Sequence, residues 1–213
     1  MANKVCDKNL LDHYKLPIAR SLLYRMWLGC GLSNVLKKRR FNFINRELGG
    51  GLTGSCGRVL EIGCGSGKDF LQFLPDSAVS HGVDIFDAGI VRNNFEFHLA
   101  DAESLPFEDK FFDYTVSIGV LEHIQPILKL DRVTQEIRRV SKRFVIVVPS
   151  VNTLIEPHFW QPLWQLKHRS SNPGTNYFSD HTWRQFSGLT GCQTIRNSYI
   201  PGVIDNLYIV GLG

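Results

Sequence analysis

Val59-Leu60-Glu61-Ile62-Gly63-Cys64-Gly65-Ser66-Gly67 runs an apolar strand directly into a turn with glycine at every second position. Glycine lets the backbone approach a ligand closely and adopt positive φ where other residues would clash. Asp84 ends the next apolar strand, where a carboxylate can accept hydrogen bonds from both hydroxyls of a ribose. Asp101 follows a third strand and is succeeded by Ala102, a polar group and a small side chain that can frame an adenine edge. Sites at the carboxyl ends of consecutive strands converge on one crevice, so the spacing predicts a nucleotide-cofactor site.

Outward from this core the pattern alternates strand and helix. Strands are predicted at 58–62, 79–85, 95–99, 111–118, 144–148, 193–200 and 206–210, and helices at 66–74, 127–140 and 179–189, the last capped by Ser179. Leu128, Val133, Ile137 and Val140 line one side of the 127–140 helix, and 86–93 has room for only about two helical turns. Such alternation predicts an α/β fold, a Rossmann-like doubly wound sheet with helices on both faces. Residues 150–178 break the rhythm with prolines and with Phe159, Trp160, Trp164, Tyr177 and Phe178, which reads as a lid-like insertion. The chain divides into an extension at 1–57 and a cofactor-binding domain at 58–213.

The 213 residues suit one such domain, and no stretch approaches the ~18 apolar residues of a membrane span. No cleavable leader is recognisable, because Arg20 and Arg25 interrupt the apolar run at 16–28, and a cytoplasmic location is expected. The five cysteines are scattered and form no Cys-x-x-Cys pair, so they read as reduced thiols. The seven histidines show no metal-ligand spacing, and no metal is predicted. The net charge of +4 hides an asymmetry: residues 1–46 hold ten Lys or Arg against two Asp. Leu16, Ala19, Leu22, Leu23, Met26 and Trp27 recur there at helical spacing ahead of Lys37-Lys38-Arg39-Arg40, a basic amphipathic helix. Its apolar face could pack on the sheet or cover the cofactor, rest on an anionic membrane surface as a peripheral contact, or meet nucleic acid.

These motifs together resemble the class I S-adenosylmethionine-dependent methyltransferases, in particular the group typified by the ubiquinone and menaquinone biosynthesis methyltransferases. The first motif of that family, an acidic residue then Gly-x-Gly-x-Gly, is met by Glu61, Gly63, Gly65 and Gly67, and its second acidic position by Asp84. Its Asp-Ala-x-x-Leu-Pro-Phe motif stands at Asp101-Ala102-Glu103-Ser104-Leu105-Pro106-Phe107, followed by Phe112-Asp113, and its strand-four signature at Val116 to His123. The resemblance implies a seven-stranded sheet, mostly parallel with an antiparallel last strand, and S-adenosylmethionine as cofactor. It implies that Gly63, Cys64 and Gly65 back the amino-acid portion of the cofactor and that Glu61 reaches its ammonium. Asp84, with Ile85, would hold the ribose, Asp101 and Ala102 face the adenine, and Ser117 and Ile118 flank the ligand. Two departures stand out: Ser141-Lys142-Arg143 replaces the usual Gly-Gly pair before strand five, and the helix after Asp84 is short.

The activity so implied is methyl transfer to a small-molecule acceptor. His123 is the candidate for taking a proton from the acceptor or orienting it; its alternative role is to support the cofactor loop. His158, His168 and His181 fall in or beside the lid. The motifs of nucleic-acid amino- and cytosine-methylating enzymes are absent after strands four and five, which disfavours nucleic-acid substrates. A nicotinamide-dependent oxidoreductase is the competing reading, but Lys68 occupies the place of the third glycine of Gly-x-Gly-x-x-Gly. A catalytically silent S-adenosylmethionine-binding module is the other.

Overall fold

The computed structural model describes residues 32–54, 57–156, 161–162, 175–200 and 203–213. Seven strands form one sheet: β1 (Arg58–Ile62), β2 (Val79–Asp84), β3 (Phe95–Leu99), β4 (Phe112–Ile118), β5 (Ser141–Pro149), β6 (Gln193–Ile200) and β7 (Ile204–Leu212). Their order is β3-β2-β1-β4-β5-β7-β6, and β7 alone is reversed in direction, pairing antiparallel with both β5 and β6. The predicted sheet is thus present, its last strand reversed as expected.

Side chains alternate across the strands, and β1 and β5 contribute apolar residues to both faces. Phe144, Ile146 and Val148 of β5 join Leu60 and Ile62 of β1 in one core layer, whereas Val145, Val147 and Val59 join the other. Helix α2 (Ile127–Val140) covers the first layer with Leu130, Val133, Thr134, Ile137 and Val140, all buried along one helical stripe. Leu128 does not share that stripe and is 72% exposed. It stands five residues before Val133, about 140° out of phase on a helix. Ser179 caps α3 (Asp180–Trp183), its Oγ accepting from the Thr182 amide at 3.2 Å. This helix stops well short of the predicted Leu189, because Gly188 lies against the α2 backbone so closely that a Cβ there would come within 2.0 Å of the Thr134 carbonyl oxygen.

The second layer is covered by α1 (Leu32–Glu47), which buries Leu36, Phe41 and Ile44, with Leu48 following at its end. Phe41 meets Phe70 and Phe73 at centroid distances of 5.5 and 5.8 Å. The helix ends in a Schellman turn: the Gly50 amide donates to Asn45, the Gly49 amide to Arg46, and Gly49 has φ +79°. Arg143 of β5 then donates to the Leu48 carbonyl at 2.9 Å. The predicted helix at 66–74 is reduced to a 3-10 turn (Leu71–Phe73), since Gly67 takes φ +71°, and 86–93 is irregular around Gly89 at φ +69°. The amphipathic run at 16–27 and most of the lid, including Phe159, Trp160, Trp164, His158 and His168, lie outside the described residues. No helix among the described residues is long and apolar enough to cross a membrane.

Packing of this kind makes α1 part of the core. Ile44→Ala should lower the unfolding free energy by about 2–5 kcal/mol in urea denaturation, the cost of a truncated, fully buried aliphatic side chain. An unchanged midpoint would mean that α1 is dispensable to the fold.

Candidate functional site

The chain order of the strands reverses between β1 and β4, and at the carboxyl ends of these strands lies a cavity of about 770 Å³. Its wall brings together Gly63, Gly65, Asp84, Ile85, Asp101, Ala102, Ile118 and His123 from the predicted set. Glu61, Cys64 and Ser117 are not among the lining residues.

The glycine turn is fixed to β2 by the amides of Gly63 and Cys64, which donate to the Val83 carbonyl at 2.8 and 3.3 Å. Gly63 has φ +71° and a Cβ there would fall 2.2 Å from Val120, whereas a Cβ on Gly65 would meet nothing within 4 Å. The backbone at Gly63 therefore admits no side chain, and beside Gly65 the space is open for a ligand. Asp84 accepts from the Gly65 amide through Oδ2 at 2.8 Å and from the Ile85 amide through Oδ1 at 2.7 Å. These bonds fix the carboxylate at the rim while each oxygen keeps acceptor capacity.

Asp101 receives the Lys129 ammonium at 2.5 Å and the Glu103 amide at 3.1 Å. Partial burial works against its charge, but Lys129 and the amide prevail and hold the carboxyl below the usual range. Lys129, in the first turn of α2, also lines the cavity. Nothing in the sequence marks it, because the pairing depends on how α2 lies over the loop after β3. Asp69, likewise missed, lines the cavity and pairs with Lys37 at 3.1 Å and Arg40 at 3.0 Å. Burial raises its carboxyl, yet these two cations bring it below its ordinary value.

Glu61 shares its face of β1 with Val59 and is 1% exposed, with Oε2 lacking a hydrogen-bond partner. Burial above all, reinforced by Asp69 and opposed by Arg40, pushes its carboxyl well above the usual range. Cys64 is buried against Gly82; burial, Glu61 and Asp84 push its thiol up to about 12, so it is unreactive. Ser117 is buried and donates to the Ile62 carbonyl at 3.3 Å, tying β4 to β1.

His123 closes a 3-10 turn (Leu121–His123) whose other residues are buried. The neighbouring loop is held by Asn176, which donates to the Ile124 carbonyl at 2.8 Å and accepts from Gln125 at 2.6 Å. Tyr177 and Phe178 follow Asn176, and Phe178 packs on Trp183 and Phe186 at centroid distances of 5.2 and 5.8 Å, a core contact. His181 is exposed and meets Gln185 at 3.2 Å. The remaining wall is mostly apolar, from Phe86, Val120 and Ile124.

Residues 60–147 match the family described as methyltransferase domain. The chain is 39% identical over 87 residues to an uncharacterized protein of Methanocaldococcus jannaschii, covering 39% of this chain and 32% of that protein. It is 32% identical over 98 residues to an O-methyltransferase of Aspergillus sclerotiorum, covering 38% and 36%. The matched region thus spans about a third of the length of these curated relatives. Among solved structures, the fold is shared with a SAM-dependent methyltransferase of Methanosarcina mazei (TM-score 0.53, 20% identity, 76% of this chain and 94% of that one). It is also shared with the 1,6-didemethyltoxoflavin-N1-methyltransferase of Burkholderia thailandensis, solved with 1,6-didemethyltoxoflavin and S-adenosylhomocysteine (TM-score 0.59, 15% identity, 93% and 88%).

The Lys129–Asp101 pair is open to direct titration. Asp101, with its folded pKa depressed, contributes stability that is present above the ordinary aspartate value and lost as pH falls through the depressed one. In Lys129→Met the Asp101 carboxyl carbon should titrate higher by NMR and that acid-side loss should shrink. An unmoved midpoint would assign the depression to the Glu103 amide.

Proposed function

We propose that this chain, which carries a methyltransferase domain of the class I S-adenosylmethionine-dependent fold, binds S-adenosylmethionine in the cavity and transfers its methyl group to a small-molecule acceptor. The carrying observation is the convergence of the glycine turn, Asp84 and Asp101-Ala102 on one cavity at the switch of strand order. The cofactor supplies a methyl already activated on a sulfonium. The protein's share is then alignment and exclusion of water, effects that supply roughly 7–11 kcal/mol in well-oriented reactions.

In this reading the backbone at Gly63 and Gly65 takes the amino-acid portion, Asp84 the ribose hydroxyls, and Asp101 with Ala102 the adenine edge. Ile85 and Ile118 form apolar walls. Glu61, Cys64 and Ser117 act from beneath by shaping the turn and the strands. His123 stands at the cavity wall, where it orients the acceptor or takes its proton, and Asn176 ties its loop to the segment that returns from the lid. O-, N- and C-acceptors are all compatible with this arrangement, and the apolar wall suits a partly apolar molecule.

The N-terminal segment is assigned to the cavity mouth. Leu48, just past the end of α1, lies beside Arg143 at the amino end of β5, while Lys37 and Arg40 lie beside Asp69, after the carboxyl end of β1. The helix therefore starts on the cavity side and runs away from it. Lys37 and Arg40 are engaged inside the domain, which weakens the case for the tetrad as a membrane contact.

Calorimetry should show binding of S-adenosylmethionine or S-adenosylhomocysteine and none of NAD; NAD binding alone would overturn the assignment. Asp84→Ala removes charge-assisted hydrogen bonds worth about 1.5–3 kcal/mol each and should weaken cofactor binding about tenfold or more. An unchanged dissociation constant would remove Asp84 from the site. Deleting residues 1–31 leaves α1 in place and should lower cofactor affinity by opening the crevice to water. Unaltered affinity, combined with loss of binding to anionic vesicles, would place the segment on a membrane instead.

A further inference from the structure

We propose that His81, Glu96 and His98 form a binding site for one divalent transition-metal ion, zinc by the donor set, at the β2–β3 edge of the sheet. His81 stands in β2, and Glu96 and His98 stand two residues apart in β3. The parallel register pairs His81 with Glu96 and Val83 with His98, so all three side chains project from one face of the sheet. No pattern of sequence spacing shows this, which is why the reading of the chain alone predicts no metal.

The donor atoms lie within 4.8 Å of one another. His81 Nδ1 is 3.1 Å from His98 Nε2, and the two Glu96 oxygens lie 3.7 Å from His81 Nδ1 and His98 Nε2 respectively. Ligand atoms about 2.0–2.2 Å from a tetrahedral ion stand about 3.3–3.5 Å apart, so the triangle closes on a metal with shifts of a few tenths of an ångström. A hydrogen bond between the imidazoles accounts for the 3.1 Å contact alone. It leaves unexplained why one carboxylate spans both rings beyond hydrogen-bond range.

Two imidazoles and a carboxylate are a zinc-type donor set, whereas magnesium prefers oxygen ligands alone. The surroundings fit as well. His81 is buried, with Phe112, Phe111 and Phe107 at centroid distances of 5.2, 5.9 and 6.2 Å, and Phe107 stands 4.8 Å from His98. This apolar shell fixes ring orientation. Glu96 is 66% exposed, so the solvent side is open to an arriving ion and to a water as fourth ligand. The site lies apart from the cavity, but His98 is two residues before Ala100, which lines it.

The full chain, stripped with chelator and dialysed, should take up one equivalent of zinc in competition with a chromogenic chelator, undisturbed by millimolar magnesium. Glu96→Gln alters one exposed side chain and should weaken zinc by about tenfold or more, and His98→Gln by at least as much. Circular dichroism of both variants checks that the fold persists. Because cysteines also bind zinc, cobalt supplies the second readout: visible d–d bands without a thiolate charge-transfer band, lost in His98→Gln. Equal zinc affinity in the native chain and both variants, or a cobalt spectrum dominated by thiolate charge transfer, would overturn the proposal.

Discussion

β1, β4 and β5 bury residues on both faces of the sheet, and covering both is the constraint on which the other features of the fold depend. In a doubly wound sheet the crossover segments normally supply that cover as helices. Here the segments after β1 and β2 supply a 3-10 turn and an irregular loop. The missing cover on one face comes from α1, which buries Phe41, Ile44 and the following Leu48 against Val59, Val116 and Val145. Helix α1 thereby belongs energetically to the domain that the charge pattern separates it from. Its basic tetrad has a corresponding use: Lys37 and Arg40 neutralise Asp69, and Lys38 lies over the rings of Phe41 and Phe73 at 4.7 and 5.3 Å.

That same cover sets the electrostatics of the cavity. Asp69 and Asp84 lie around the glycine turn, and Asp101 stands with them on the cavity wall, a gathering of carboxylates. Uncompensated, such a group would repel itself in a partly desolvated site. Arg40 and Lys37 reach in from α1, and Lys129 from α2, so each face of the sheet contributes cations to the carboxylates of its own side. Asp84 is held differently, by backbone amides, which fixes its position without cancelling its charge.

The sequence made the strands legible because their patterns are strong and short. β1, β3, β6 and α2 coincide with their expected spans, since an apolar run bounded by glycine or a polar turn, or a stripe at helical spacing, has one sensible structure. It misled where local pattern and tertiary contact disagree. Residues 66–74 carry the composition of a helix, but Gly67 adopts a left-handed conformation and too few residues remain to sustain one. The helix capped by Ser179 obeys its cap and then yields to the approach of Gly188 to α2. Glu61 is a different case: pleating turns it to the face of β1 that carries Val59, under the turn and outside the cavity wall, a placement that motif spacing does not display.

What no one-dimensional pattern could show is anything created by register or by one element lying across another. Lys129 meets Asp101 because α2 crosses the loop after β3, and His81 meets His98 because β2 and β3 pair with that particular offset. Both features act on the same strand. Among the described residues β3 is an edge strand of the sheet, bonded on one side only, and its carboxyl end delivers Ala100, Asp101 and Ala102 to the cavity. An edge strand with one bonded flank is the part of the sheet most free to shift. The imidazole contact to β2 and the ammonium contact from α2 restrain that strand at its middle and just past its carboxyl end. The precision with which Asp101 and Ala102 are placed on the cavity wall thus rests on side chains outside the glycine and carboxylate motifs from which the site is recognised.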